Sequence, residues 1–393
     1  MNPVALQPRK VADLSLDRKL RDLQSCIGME PMLCDRFNLP AYAMLHAAAP
    51  KELEQAAADL NLSFPSAQDW QSYLNEAQTH DFSLREHRLK NNRLGLYFES
   101  LLEIWLQNNR FFNPIASHIS LYDEKSKQTL GEIDWLLENK LTHELEHWEC
   151  AVKFYIVQPH CANLYGLRGT SLQDNLGTKL NHIIKHQLRQ SLSPQFKNSF
   201  GNEKIAKHVC LIKGMLFFEW KACKNLGSRE PFNLLPESVA QFLNPNARCS
   251  YWLQECELEE FLSTLPHGSV DLTHARENLK ELNCGDFLQH PGKIICFIAL
   301  NRLEWLTPLN HNDVLALVQE GKERLLTRSA LQDALTKSHS SSEPPVPLLV
   351  AAIGCREPPQ PNQTLKKIEF VELTRFFLVT QDWRQRLIDA SFP

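Results

Sequence analysis

The pattern of apolar residues between positions 94 and 220 alternates between a helical period and a strand period. In LGLYFESLLEIWLQN, apolar residues recur every three or four positions, which predicts a helix over about 94–108. Alternating and short apolar runs, bounded by polar turns, then predict strands. These strands cover about 113–121, 127–138, 147–157 and, later in the chain, 207–219.

Between the third and fourth strands, SLQDNLGTKLNHIIKHQLRQS carries a second helical stripe and predicts a helix over about 171–190. Ser171 and Asp174 have the spacing of a capping box and are expected to begin it. The order helix, three strands, helix and strand predicts an α/β fold with a mixed central sheet flanked by helices. We expect a mixed sheet because short links can join the first three strands, whereas the fourth returns after a helix and can run parallel to a neighbour.

The segments on either side of this core carry weaker signals and suggest three regions. Residues 1–84 are expected to form an N-terminal helical cap, with amphipathic pieces near 12–26 and 51–60. Residues 85–220 form the predicted core, and residues 221–393 a C-terminal α/β extension. In that extension, KIICFIALN and VPLLVAAIG predict strands, and NDVLALVQEGKERLLTRSALQDAL predicts a helix.

Composition and charge restrict the class of protein. The chain has no run of about 18 apolar residues and no signal-peptide pattern, so we expect neither a membrane protein nor a secreted one. Eleven cysteines without a CxxC pair argue against a zinc ribbon or a disulfide framework and favour reduced thiols in the cytoplasm. Because the net charge is −4, contact with nucleic acid would require a local basic patch.

Four residues in the predicted core have the chemistry of phosphodiester hydrolysis. Asp134 lies in one strand, and Glu149 and Lys153 share one face of the next. Glu99 lies on the preceding helix. Carboxylate oxygens suit Mg²⁺ or Mn²⁺, and a lysine can stabilise charge in the transition state. We therefore predict that Asp134 and Glu149 bind the metal ion, with Lys153 and Glu99 beside it.

The strings LGLYFESLLEIWL, GEIDWLL, HWECAVKFY and KLNHIIKHQL resemble a bacterial family named domain of unknown function 1853, which is grouped with the PD-(D/E)XK phosphodiesterases. The resemblance implies a restriction-endonuclease-like αβββαβ core at about 85–220 and a metal-dependent nuclease activity. It also implies roles for the helical acid Glu99, the strand acid Asp134, the motif lysine Lys153 and the helical glutamine Gln187.

One position departs from this motif. The acid expected two residues before Lys153 is replaced by Ala151. Glu149 lies two residues further back on the same strand face, about 7 Å along the strand. Either Glu149 supplies the missing carboxylate, or the site has lost its metal ion.

Basic residues on the second helix are candidates for contact with substrate phosphates. They are Lys179, Lys185 and Arg189. His182 and His186 lie four positions apart, which permits zinc binding, but no third ligand of matching spacing is evident, and the sequence favours a solvated basic face. A second basic cluster comprises Arg85, Arg88, Lys90 and Arg93.

Simpler explanations stay open for each feature. Glu99 fits a solvated helix flank, Asp134 a turn, and the tryptophans Trp220, Trp252 and Trp305 the core. The main hypothesis is a nuclease that acts on DNA or RNA. Its rival is a nuclease fold without catalysis that binds nucleic acid or a protein, which Ala151 favours. A third interpretation is a structural partner protein that makes its contacts through the C-terminal half.

Overall fold

The fold is a mixed α/β structure with a central sheet flanked by helices. The computed structural model describes residues 10–11, 14–35, 60–79, 93–122, 128–201, 204–225, 231–264, 294–319, 325–326, 331, 335, 347–355 and 369–390. Within these residues, eleven strands form one sheet, in the order β2-β3-β4-β6-β7-β11-β10-β8-β9, with β1 paired to β6 and β5 to β4. The predicted α/β fold with a mixed central sheet flanked by helices is thus confirmed.

The strands have the following bounds: β1 Leu62–Ser63, β2 Phe112–Tyr122, β3 Thr129–Asn139, β4 Leu145–Val157, β5 Leu167–Arg168, β6 Ile205–Glu219, β7 Cys249–Gln254, β8 Ile294–Ala299, β9 Leu325–Leu326, β10 Leu348–Cys355 and β11 Phe370–Val379. The α-helices are α1 Leu16–Gly28, α2 Ala67–Thr79, α3 Leu94–Asn108, α4 Leu176–His182, α5 Pro194–Phe200, α6 Trp220–Asn225, α7 Glu237–Ala240, α8 Leu258–Thr264, α9 His311–Gln319 and α10 Gln381–Asp389.

The strands of the predicted core pair as their connections require. Strand β3 runs antiparallel to both β2 and β4, because short links join these three strands. Strand β6 follows a helical crossover and runs parallel to β4, with a constant register from Glu146↔Lys207 to Ile156↔Phe217. The helix predicted over 94–108 is α3, with the same bounds. The domain boundaries at 84/85 and 220/221 remain predictions.

The two faces of β4 enter two different cores. Trp148, Cys150 and Val152 belong to a cluster that includes residues of α1, α2 and α3. Tyr155 and Val157 belong to a second cluster that includes the apolar face of α4. Because side chains alternate along a strand, the odd positions of β4, including Glu149 and Lys153, face the side covered by α4. The sheet therefore carries both residues on the face predicted for them.

The start predicted for the second helix is wrong. The helix begins at Leu176, and the side chain of Asn175 caps it by accepting from the Thr178 amide at 2.8 Å. Leu172 has a φ of +64°, a left-handed conformation that a right-handed helix cannot contain. Ser171 and Asp174 therefore lie in a turn before α4. The helical path continues beyond α4 through a π-helical turn, Ile183–Gln187, and a 3₁₀ turn, Leu188–Leu192.

The C-terminal half continues the same sheet. Strands β8 and β10 agree with the strands predicted from KIICFIALN and VPLLVAAIG. The helix predicted over 312–335 is too long, because Leu325–Leu326 form β9 and pair with β8. Strand β11, which the pattern did not indicate, lies between β7 and β10 and runs parallel to β7. The position of β11 in the sheet depends on long-range pairing, which local strand propensity does not determine.

The N-terminal helices are held against the sheet by a buried lysine. Lys213 of β6 donates to the carbonyl oxygens of Cys26 and Ile27 at 2.7 and 2.9 Å, and its Nζ lies 3.4 Å from the centroid of the Trp70 ring. These contacts satisfy carbonyls at the C-terminal end of α1. The helix expected near 12–26 is thus present as α1. The piece expected near 51–60 lies almost wholly outside the described residues, as do Arg85, Arg88 and Lys90.

No helix in the described part of the chain combines the length and the apolar character of a membrane span. Nine of the cysteines within the described ranges are free thiols, most of them buried.

Gly214 allows the closest approach between β4 and β6. It pairs with Lys153 and has a φ of +134°. A Cβ atom at this position would lie 1.6 Å from the carbonyl oxygen of Lys153, so no other residue fits. We predict that Gly214→Ala lowers the free energy of unfolding by about 3 kcal/mol or more, measured by urea denaturation.

The matched control is Gly95→Ala, because nothing lies within 4 Å of a Cβ atom built at Gly95 in α3. This control should be neutral or stabilising by up to about 1 kcal/mol. Equal stability of the Gly214 variant and wild type would contradict the close approach of the two strands.

Candidate functional site

The candidate site lies where β3 and β4 stop pairing. Their ladder runs from Glu138↔Leu145 to Trp135↔Trp148 and does not extend to the next residues, Asp134 and Glu149. There the Asp134 carboxylate accepts from the Cys150 amide at 2.8 Å, and the Glu149 carboxylate accepts from the Asp134 amide at 3.3 Å. Side-chain oxygens thus replace backbone carbonyls as the partners of two amides.

The carboxyl groups of Asp134 and Glu149 are buried together. Burial, and after it the negative charge of Glu149, raises the pKa of Asp134 to about 7. Burial raises the pKa of Glu149 to about 8, although the Asp134 amide and the charge of Lys179 act in the opposite direction. Burial therefore shifts the titration of both groups toward neutral pH.

Glu99 on α3 is the third acid of the site. Its side chain is half-buried, and burial together with the charge of Asp134 raises its pKa to about 7. His118 of β2 lies near enough to lower that pKa, and it also contacts Glu132 through Nδ1 at 3.1 Å. The structure thus brings the predicted acids Glu99, Asp134 and Glu149 into one electrostatic cluster.

Gln187, the predicted helical glutamine, contacts Glu149 directly. Its Nε2 donates to Glu149 Oε2, and its Oε1 accepts from Lys179 Nζ at 3.0 Å. Gln187 is the last residue of the π-helical turn Ile183–Gln187. A π turn is rare and often marks a functional site, since the extra residue changes the direction of the side chains that follow.

The motif lysine Lys153 forms an ion pair with Asp174 that the sequence did not predict. Its Nζ donates to Asp174 Oδ2 at 2.6 Å, and the two side chains are 28% and 39% exposed. Asp174 belongs to the turn before α4, where its carbonyl oxygen accepts from the Gly169 amide at 2.8 Å. This ion pair ties β4 to that turn. The sequence interpretation missed the pair because Asp174 was assigned to a helix cap.

The three basic residues predicted to bind phosphate differ in position. Lys179 of α4 lies close enough to Glu99, Asp134 and Glu149 for its charge to lower the pKa of each. Lys185 lies in the π-helical turn and Arg189 in the 3₁₀ turn, both half-buried. A role for those two residues in substrate binding remains a prediction.

A buried hydrogen-bond chain that was not predicted from the sequence contacts Glu149 through His147. Glu149 Oε1 lies 2.9 Å from His147 Nε2, His147 Nδ1 lies 2.9 Å from Ser191 Oγ, and Ser191 Oγ lies 3.0 Å from His208 Nε2. These four side chains are at most 4% exposed. His147 could have been found by extending the alternation of β4 two residues before Glu149.

Burial determines the charge of the two imidazoles in this chain. It lowers the pKa of His147 to about 4 and that of His208 to about 3, so both rings are neutral and each has one donor and one acceptor nitrogen. The Ser191 hydroxyl lies between the two rings and also 3.1 Å from the Leu188 carbonyl oxygen. Because the pKa of Glu149 is raised to about 8, its carboxyl group has a proton to donate to His147 Nε2.

The available donors suit a hard cation. Within the described ranges, His, Cys, Asp and Glu side chains do not form a group of three or more arranged to hold a metal ion. Asp134 and Glu149 nevertheless offer adjacent carboxylates, and Mg²⁺ is commonly held by one or two carboxylates together with water and phosphate oxygens. The ring centroids of His182 and His186 lie 5.3 Å apart. Both side chains are exposed and face away from the core.

The comparison with protein families gives one match. Residues 21–379 match the family described as Domain of unknown function (DUF1853), and the chain therefore belongs to that family. The match spans the core and most of both flanking segments. No curated protein and no solved structure matches the chain.

The raised pKa values of Asp134 and Glu149 predict a pH-dependent stability. Each acid holds its proton in the folded protein after the unfolded chain has lost it, since ordinary carboxyl pKa values lie near 4. Their contribution to stability is therefore full below pH about 4 and is lost as the pH rises through about 7 to 8. Without divalent cations, wild type should lose stability relative to the Asp134→Asn/Glu149→Gln double variant over this window.

The measurement is the free energy of urea unfolding of both proteins across the same pH range. The difference between them removes the contribution of titrating groups that do not contact the two acids. The expected change is a few kcal/mol, since one pKa unit corresponds to about 1.4 kcal/mol. A difference that does not vary with pH would contradict burial of two protonated acids.

Proposed function

We propose that the protein is a divalent-metal-dependent phosphodiesterase of the PD-(D/E)XK type that hydrolyses DNA or RNA. The observation that carries the proposal is the pair of buried carboxyl groups, Asp134 and Glu149, at the point where β3 and β4 separate. Buried acids with strongly raised pKa values, close to each other and to a lysine, are typical of catalytic or ligand-binding sites.

The arrangement of elements supports this assignment. Helix α3 is followed by the antiparallel strands β2, β3 and β4, by α4, and by β6 parallel to β4. This αβββαβ order agrees with the restriction-endonuclease-like core implied by the sequence resemblance. The candidate acids lie on the helix and the two strands that the motif requires: Glu99 on α3, Asp134 on β3 and Glu149 on β4.

The donor set fits Mg²⁺ or Mn²⁺. Two adjacent carboxylates repel each other when both are ionised, and a divalent cation would offset that repulsion. Asp134 and Glu149 would hold the ion, with Glu99 close by. A bound ion of this kind supplies charge neutralisation at the phosphate and lowers the pKa of water.

The protein's own groups prepare this site. His147 and Gln187 each contact one oxygen of Glu149, so the carboxylate has a defined orientation. Binding of a cation requires that Asp134 and Glu149 give up their protons, and metal affinity should therefore increase with pH. Lys179 provides positive charge beside Gln187, and Lys153 provides it beside Asp174.

A second function is favoured by a different observation. Ala151 replaces the expected acid, and both oxygens of Glu149 already have partners in the protein. A nuclease fold with these properties would bind nucleic acid or a protein without cleaving a substrate. The two functions differ in whether the protein binds a divalent cation at Asp134 and Glu149.

We predict that calorimetric titration detects Mn²⁺ binding to wild type and that Asp134→Asn and Glu149→Gln each abolish it. Each change removes an anionic oxygen ligand from a site with only two strong ones. Cleavage of mixed DNA and RNA substrates should fall at least about 100-fold in both variants.

Glu144→Gln is the matched control, because Glu144 is an exposed acid in the turn at the opposite end of the β3–β4 hairpin. It should bind Mn²⁺ as wild type does. If Glu149→Gln also matches wild type, Glu149 is not the replacement acid. If wild type neither binds Mn²⁺ nor cleaves, Ala151 marks a lost site and the noncatalytic function is correct.

A further inference from the structure

The motif lysine is already engaged in a structural contact. Lys153 Nζ lies 2.6 Å from Asp174 Oδ2, within the range of a strong charge-assisted hydrogen bond. Asp174 in turn lies in the turn that precedes α4, which is shaped by the left-handed Leu172 and by Asn175 as the helix cap. Moving Lys153 toward the acids would leave Asp174 without this cation.

Lys179, unlike Lys153, contacts a residue that binds the acid cluster. It lies one turn into α4, and its Nζ donates to Gln187 Oε1 at 3.0 Å, while Gln187 donates onward to Glu149. The lysine and Glu149 are thus separated by a single side chain. Among its contacts with described residues, Lys179 uses one of its three N–H donors on Gln187, so two donors remain for a ligand.

We infer that Lys179, rather than the motif lysine Lys153, is the cationic residue that contacts the substrate phosphate. The inference rests on the proposed function, since it assumes that the acid cluster receives a phosphodiester. A phosphate oxygen beside Asp134 and Glu149 would be attracted by an ammonium group on the adjacent helix, and the attraction would increase as negative charge develops in the transition state.

The geometry of the helix supports this assignment. Residues eight positions apart in a regular α-helix lie about 12 Å apart along the axis, at 1.5 Å per residue. The π-helical turn between Lys179 and Gln187 changes the direction of the second side chain, and the two side chains meet. Gln187 therefore positions Lys179 as well as Glu149. Lys153 has a separate task, which is to fix the turn before α4.

The experiment compares Lys179→Met, Lys179→Arg and Lys153→Met in the full chain. Lys197→Met is the matched control, because Lys197 is exposed on α5 and has no part in the site. Two quantities are measured for each protein. The first is the affinity for a fluorescein-labelled single-stranded oligonucleotide with Ca²⁺, followed by anisotropy at several salt concentrations. The second is the rate of cleavage with Mn²⁺.

We expect Lys179→Met to reduce the salt-dependence slope by about one unit, because one phosphate contact is lost. Cleavage by this variant should fall at least about 100-fold. Lys179→Arg should retain the slope, because it keeps the positive charge. This result would show that loss of charge, rather than loss of folding, explains the effect of Lys179→Met. Lys153→Met should retain the slope and instead lower the thermal stability.

The inference is overturned if Lys153→Met reduces the slope while Lys179→Met does not, or if wild type does not bind the oligonucleotide at all. Failure of the proposed hydrolysis is a separate result. If wild type binds with a slope that depends on Lys179 but does not cleave, the inference holds for a noncatalytic site. If wild type cleaves and Lys179→Met cleaves equally well, the hydrolysis stands and the inference is wrong.

Discussion

The separation of β3 from β4 after Trp135 and Trp148 is the constraint on which the site depends. Where two antiparallel strands separate inside a protein, their backbone amides need new partners, because an unpaired buried amide is costly. The carboxylate of Asp134 takes the Cys150 amide, and that of Glu149 takes the Asp134 amide. Satisfying the backbone in this way brings two acids together in the interior.

The rest of the core holds these acids in place. Strand β4 is fixed by its long parallel pairing with β6, which requires Gly214 opposite Lys153. The helical segment that covers this face contributes Gln187 on one oxygen of Glu149, and His147 occupies the other. Burial of both acids raises their pKa values and costs stability at neutral pH. Buried groups that lower the stability of a folded protein in this way are typical of functional sites.

The sequence predicted the parts of the structure that depend on local periodicity. It predicted α3 with its exact bounds, the strands β2, β3, β4 and β6, and the shared face of Glu149 and Lys153. It did not predict β11, which lies between β7 and β10 in the sheet and whose parallel partner β7 is distant in sequence.

The finer details of the site depend on tertiary contacts that periodicity cannot show. The left-handed Leu172 moves the start of α4 to Leu176, and this shift releases Asp174 to pair with Lys153. The π-helical turn, which local propensity does not specify, brings Gln187 between Lys179 and Glu149. Sequence spacing alone therefore did not show the contacts of Lys153 with Asp174 and of Lys179 with Gln187.

The most direct test of the account is a crystal structure of the full chain grown with Mn²⁺ and recorded at the manganese absorption edge. The account predicts an anomalous peak in contact with carboxylate oxygens of both Asp134 and Glu149, at about 2.0–2.2 Å. It also predicts that the hydrogen bond from Gln187 to Glu149 moves or breaks to admit the ion. An absent peak, with Glu149 still held by both His147 and Gln187, would contradict the account.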